Sequence, residues 1–243
     1  MRLSTRVGGF QASGAADPPE VRATVQAYNS GPSNPYDLTT SGMSWMAGDL
    51  VFAMWAGNNN QSVKSPITAI AGQDGTDPDT YANYLTIDAA LGAAENSIYK
   101  GTIVSPFDAA TRFTRATLRR GIAAVAVCSG AGANFDGTPV QNEGDSAAPK
   151  GLSMTTTVAN CRVFCFLSKI GSVSIVDRAV PAGWTEHFYL SGENGNNDTS
   201  SHSTGALISK VFASAAATGD VDWTVPAGAS APWSTIMFGV PPS

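Results

Sequence analysis

The sequence predicts an all-β protein, a jelly-roll-like antiparallel β-sandwich built from two sequence-duplicated halves. Three observations carry that prediction. Charged residues make up only 14% of the 243 positions, well under the quarter usual for globular chains, and helix-surfacing Glu, Lys, Gln and Arg are correspondingly scarce. Short alternating or wholly apolar runs are separated by clusters of Gly, Pro, Asn and Asp, the punctuation of strands and turns. Four landmarks recur in the same order 110 to 112 positions apart.

Residues 1–20 mix Gly, Ala, Ser and Pro without period and read as an N-terminal arm. Val21 to Tyr28 alternates Val21, Ala23, Val25 and Ala27 with polar neighbours, the pattern of a half-buried strand. The NSGPSNP stretch from Asn29 to Pro35 is a loop. Within Met46 to Trp55, Gly48-Asp49 makes a turn. Leu50 to Trp55 is apolar on both faces, which implies a central strand. Ser65 to Ala71, Tyr81 to Ile87, Ser97 to Ser105, Arg112 to Thr117 and Gly121 to Cys128 read as further strands. Asp88 to Glu95, DAALGAAE, is the best helical stretch, with Asp88 as N-cap and Gly92 weakening it.

Residues 129–150 lack a hydrophobic period and read as a long loop joining two half-repeats, about 21–128 and 151–243. Val158 to Leu167 follows the Met46 strand by 112 positions. Lys210 follows Lys100 by 110, Trp223 follows Phe113 by 110, and Ile236 follows Ala124 by 112. A period of that length suits a domain duplication. Each half offers about four confident strands, too few to close a sandwich alone, so the halves are expected to interlock as one sandwich over residues 21–243.

Net charge is −5 and the pI about 4.9. Duplex binding needs a clustered basic face. Arg112, Arg115, Arg119 and Arg120 form the only such group and read as solvated edge charges, so no nucleic-acid partner is expected. No apolar run reaches the roughly 20 residues of a spanning helix, so no membrane insertion is expected, and the N-terminus lacks the apolar stretch of a signal peptide. Cys161 and Cys165 share a strand face about 13 Å apart, too far to bridge. With Cys128 they make no zinc set, so buried reduced thiols are expected.

Catalytic constellations are absent from the pattern. His187 and His202 have no nucleophile motif near them in sequence, and Glu186 and His187 would point to opposite faces of a strand. Glu20, Glu95, Glu143, Glu186 and Glu193 are scattered and suggest no glycosidase pair. Asp74, Asp77, Asp79 and Asp198 lie in acidic loops, but Asx-turns account for them without calcium. The chain is therefore expected to be no enzyme and to need no metal or cofactor. The candidate ligand-binding residues are Trp184, delivered by the turn in VPAGWTEH, and Asn194, Asn196, Asn197, Asp198 and His202 in the polar stretch that follows. An exposed tryptophan beside short hydrogen-bonding side chains suits a sugar ring, while a core tryptophan is the plainer alternative.

The succession AGDLVFAMW, PAGWTEHF, a Lys-bearing strand, WTVPAG and a closing apolar strand, from about residue 46 to the end, resembles virion proteins of tailed bacteriophages and phage-like gene-transfer particles. The likeness is to jelly-roll modules of their fibres, spikes and capsid decorations. ITAIAGQDG in the first half departs from it by lacking the Trp of PAGWTEH. The resemblance implies a non-enzymatic virion component, assembled in the host cytoplasm, that partners other virion proteins and copies of itself and contacts host surface polysaccharide. A carbohydrate-binding recognition module is the second reading and a polysaccharide-degrading enzyme the third.

Overall fold

The computed structural model describes residues 16–29, 34–58, 67–72, 82–88, 94–103, 109–115, 121–170, 179–191, 203–223 and 231–243. Those residues form strands β1 (Glu20–Asn29), β2 (Tyr36–Thr39), β3 (Leu50–Asn58), β4 (Ile67–Gly72), β5 (Ala82–Asp88), β6 (Ala94–Thr102), β7 (Ala110–Arg115) and β8 (Gly121–Ser129). They continue with β9 (Asp136–Ser146), β10 (Lys150–Gly151), β11 (Cys161–Ile170), β12 (Thr185–Ser191), β13 (Ser203–Phe212), β14 (Val221–Asp222) and β15 (Ala231–Val240). No helix occurs among the described residues. The protein is all-β, as its sequence predicts.

Strand pairing defines the topology. In the first eight strands β1 pairs with β8, β2 with β7 and β3 with β6, all antiparallel. This is the nesting of a long hairpin folded over on itself, the wrapping of a jelly roll. Consecutive strands alternate between a five-stranded sheet, β1-β8-β3-β6-β5, and a three-stranded sheet, β2-β7-β4, except that β5 and β6 lie side by side in the larger one. The remaining strands nest in the same way, β9 with β15, β10 with β14 and β11 with β13. Read from β9, the second large sheet runs β9-β15-β11-β13-β12, which matches the first strand for strand. Equivalent strands begin at Leu50 and Cys161, Ala94 and Ser203, and Gly121 and Ala231.

The two large sheets pack face to face. Leu50, Phe52, Met54 and Ala56 of β3 meet Phe164 and Phe166 of β11, Leu207 of β13, and Ile236 and Phe238 of β15 in one core cluster. Phe52 stands edge-on to Phe164 and Phe238, at 5.4 Å from each ring centre, and Phe164 stacks on Phe238 at 5.2 Å. The opposite face of β3, with Val51, Ala53 and Trp55, packs on Leu38, Ile70 and Phe113 of the small sheet. The opposite face of β11, with Val163, Cys165 and Leu167, packs on Val221 and Trp223. Four layers result. Both β3 and β11 are inner strands with core on each side, which is why their sequences are apolar without alternation. Gly121 is required beside Trp55, since a Cβ there would lie 2.3 Å from Trp55 Cζ2 and 2.8 Å from the Ala56 carbonyl oxygen.

Two expectations are corrected. Of the helix expected over Asp88 to Glu95, the described residues are strand: Asp88 closes β5, Ala94 opens β6, and Asp88 faces Glu95 across an antiparallel pair, while residues 89–93 lie outside the described residues. Alanine-rich composition favours a helix locally, but the buried β6 position of Ala94 and Glu95 overrides it. Residues 129–150 are not a loop. Asp136–Ser146 is an edge strand paired to β15, and Lys150–Gly151 pairs with Val221–Asp222. The join between β8 and β9 is residues 130–135. The expected sandwich is present in the two large sheets, and a small sheet lies outside each of them; polar β9 and the two-residue β10 and β14 leave no periodic trace in the sequence.

The two rolls also point the same way. Asn58 with Ala94, Gly57 with Gly121, Ile170 with Ser203 and Lys169 with Trp233 mark strand termini at one end. Across the central interface, Gly205 lies against Ile122 and Ala56 at that same end. This is the loop end. The arm end, opposite, carries Pro19, the turn before β3 and the turn before β11.

Phe52 touches both rolls through its ring contacts, so Phe52→Ala should cost about 3–5 kcal/mol, the usual range for a buried aromatic truncated to alanine. Chemical denaturation followed by fluorescence and circular dichroism should show one shifted transition. Two separable transitions would mean that the large sheets do not share a core.

Candidate functional site

The PAGWTEH segment is built on a turn. Trp184 N–H donates to the Pro181 carbonyl at 3.0 Å, and Gly183 sits at φ 79°, the left-handed value that the third residue of a type II turn demands. Trp184 leaves this turn half-buried and packs on the Val163, Cys165 and Trp223 cluster. It therefore serves the core of the second roll, with only part of its ring at the surface. Lys210 lies beside the same turn and places Nζ 5.4 Å from the Phe212 ring centre.

Trp184 immediately precedes β12 at the arm end, whereas Ser191 closes β12 at the loop end. Seven extended residues span about 23 Å, so Trp184 and the segment leaving Ser191 start from opposite ends of the sandwich. Asn194, Asn196, Asn197, Asp198 and His202 lie outside the described residues, as do Asp74, Asp77 and Asp79.

The structure assembles a cluster that the sequence conceals. Arg162 on β11 donates from Nη1 to Ser209 Oγ at 3.0 Å, and Ser209 Oγ stands 2.7 Å from His187 Nε2. The pairing of β12 with β13 shifts register between Glu186 and Phe188, so His187 is the extra residue of a bulge and strict alternation fails there. That irregularity brings a serine to a histidine 22 positions away. Arg162 and His187 thus both engage the one serine oxygen. Burial, reinforced by the positive charge of Arg162, pushes the His187 imidazole down to about 4. Ser209 is fully buried, so this chain of hydrogen bonds links β11, β12 and β13 as an internal strut.

The same arginine fastens the arm. Arg162 Nε donates to the Pro19 carbonyl, and Asn160 Nδ2 donates to the Ala16 carbonyl at 2.7 Å. Asn160 adopts φ 56° at the turn into β11, a conformation that asparagine tolerates better than most residues. Three residues after Pro19, Arg22 bonds Asp49 at 2.9 Å, and Asp49 also accepts from the Met46 amide at 2.8 Å. Thr24 Oγ1 donates to the His187 carbonyl at 3.2 Å. The start of the first roll is thus tied to the second roll on one side and to its own β3 turn on the other.

Other candidate chemistry is engaged in the fold. Cys128, Cys161 and Cys165 are buried free thiols, as their spacing implies. Burial raises all three, Cys161 and Cys165 to about 12, so none is a ready thiolate. Arg112 forms a two-pronged pair with Asp37, and Arg115 is buried with its guanidinium 4.7 Å from the Trp55 ring centre. Those two are therefore committed within the fold, Arg112 on the middle strand of the small sheet and not at an edge, while Arg119 and Arg120 lie outside the described residues. Lys150 pairs with Asp220 and Asp222 on the surface. No group of three His, Cys, Asp or Glu side chains fit to hold a metal occurs among the described residues.

His187 sets a pH dependence. The free imidazole titrates near 6.5 and the folded one near 4, so between those values the unfolded chain binds the extra proton. Stability is then full above pH 6.5 and falls as pH drops towards 4. Replacing His187 by Gln should flatten the melting temperature against pH across that window; an unchanged slope would show that His187 does not carry it.

Comparison with protein-family models, with curated proteins and with solved structures finds no match to this chain.

Proposed function

We propose that this chain is a non-enzymatic virion structural protein, a capsid decoration or a spike or fibre component, descended from a duplicated jelly-roll unit. The observation that carries the reading is the polarity of the molecule. Two rolls with the same strand order share one core, their loop ends point the same way, and the arm is fastened at the other end by Arg162 and Asn160. A block of this kind attaches at one end and displays loops at the other. Low surface charge suits permanent contact with other subunits and with copies of itself. The paired strand orders and the landmarks 110 to 112 positions apart support descent by duplication.

A carbohydrate-binding role is the second reading, and GENGNND after β12 favours it, because this polar stretch springs from the loop end, where a displayed surface would meet host polysaccharide.

The arm supplies the test. Residues 16–20 belong to the folded body, through Ala16, Pro19 and the start of β1, so the deletion to make is 1–15. The shortened protein should remain folded and soluble, yet be missing from purified particles in which the full chain is found by mass spectrometry. Normal incorporation would remove the arm from the assembly role, and absence of the full chain from all particles would remove the virion reading itself. A glycan array probed with the full chain decides the second reading: binding lost on replacing residues 193–198 by Gly and Ser supports it, and no binding to any glycan rejects it.

A further inference from the structure

Near its loop end, the apolar middle of the central interface gives way to a group of polar side chains. On β11 the residues facing the first roll are Phe164, Phe166 and then Ser168; on β15 they are Phe238, Ile236 and then Ser234. Ser168 and Ser234 are direct cross-strand partners, so their side chains stand side by side on that face. From the other sheet Asn96, two residues before the core residue Ile98, projects onto this pair. Its Nδ2 lies 3.3 Å from the Phe166 carbonyl and 3.4 Å from the Ser234 carbonyl. Ser203, on the same face of β13 as Leu207, adds a fourth polar group one pleat towards the loops. All four residues are 0% exposed.

The oxygens of these side chains share one property. Asn96 Oδ1, Ser168 Oγ, Ser203 Oγ and Ser234 Oγ are buried and have no protein hydrogen-bond partner. Native interiors rarely leave several such atoms together, because each gives up its hydration without recompense. Apolar residues occupy the equivalent depth elsewhere in the same interface, so nothing about sheet packing demands serine here. The donors of Asn96 are already spent on two carbonyls, which leaves Oδ1 as an acceptor. The hydroxyls both donate and accept. Buried water takes two to four such partners. A cation would bring an uncompensated charge into a site of neutral oxygens, a costly arrangement.

We propose that Asn96, Ser168 and Ser234, with Ser203 at its margin, form an internal water-binding site between the two rolls. The site also fixes how the large sheets sit on each other. Sliding one sheet by a pleat would carry Asn96 onto Phe166 or Ser168 onto Ile98 and strip the polar groups of their water, so the polar patch selects one alignment from an otherwise slippery apolar face.

Thermal melts of single variants give opposite signs for the two possibilities. If water bridges the site, Ser168→Ala and Ser234→Ala each remove a bond and lower the melting temperature by about 2–4 °C, the shift that roughly one kcal/mol produces in a chain of this size. The double variant should then fall short of the sum. If the hydroxyls are simply unpaired, alanine relieves them and raises the melting temperature, which would overturn the proposal. Oxygen-17 relaxation dispersion reads long-lived internal water directly: Ser234→Val should lose signal relative to the unaltered protein, and an equal signal overturns the site. Stabilisation by sodium or potassium over choline at equal ionic strength would assign the site to a cation instead. Should the variants not fold, the unaltered protein decides, since a high-resolution crystal structure must show an ordered, neutral oxygen within hydrogen-bond reach of both serines.

Discussion

The contact on which the molecule depends is the aromatic seam between its two large sheets. Phe52 from the first roll lies 5.4–5.6 Å from Phe164 and Phe238 of the second and Phe135 of the short join, and Phe238 lies 5.1–5.2 Å from Phe135 and Phe164. Each roll has an outer sheet too small to cover a five-stranded face on both sides, so the inner face of each is left apolar and must be buried by the other. The second roll's outer sheet shows this most clearly, with two residues in each of its two described strands. Neither roll is a finished object alone. What joins them is a core of buried aliphatic and aromatic side chains like the core within each.

That dependence explains where polar groups are tolerated. The strut from Arg162 through Ser209 to His187 lies at the arm end of the seam, where β1 runs beside β12. The Asn96, Ser168 and Ser234 group lies at the loop end. Between them the interface is hydrocarbon. Polar groups at both ends of an apolar contact are directional and the middle is not, so the ends determine alignment while the middle determines strength.

Much of this was legible in sequence, for identifiable reasons. β1 alternates but is half-buried along its length, with Val25 and Ala27 on the small-sheet core and Val21 and Tyr28 on the central one; β3 and β8 are continuously apolar because both faces are buried. β9 was illegible because DGTPVQNEGDS is an edge strand with one partner, and Pro139, Glu143 and Asp145 are the residues that keep such an edge from recruiting another chain. The hairpin around Asp88 and Glu95 was hidden by alanines whose local preference is helical. The His187 cluster was hidden by a bulge, since period-two reasoning sends Glu186 and His187 to opposite faces and says nothing of Ser209. The polar group in the seam had no signal at all: three serines and an asparagine matter only after two strands from different rolls are laid over each other. The plainer reading of Trp184, as a residue of the core, agrees with its packing.

Nested pairing also imposes an order in time. β1 waits for β8, and β9 waits for β15, so the outermost partners of each roll are separated by almost the full length of that roll. On the ribosome the first roll can close once β8 has emerged, but it then carries an uncovered apolar face. That face finds its cover only when β15 arrives, because β15 pairs with both β11 and β9 and contributes Ile236 and Phe238 to the seam. A chain interrupted before β15 would hold one closed roll with an exposed sticky flank. Synthesis of β15 is therefore the step that covers the sticky flank of an aggregation-prone half.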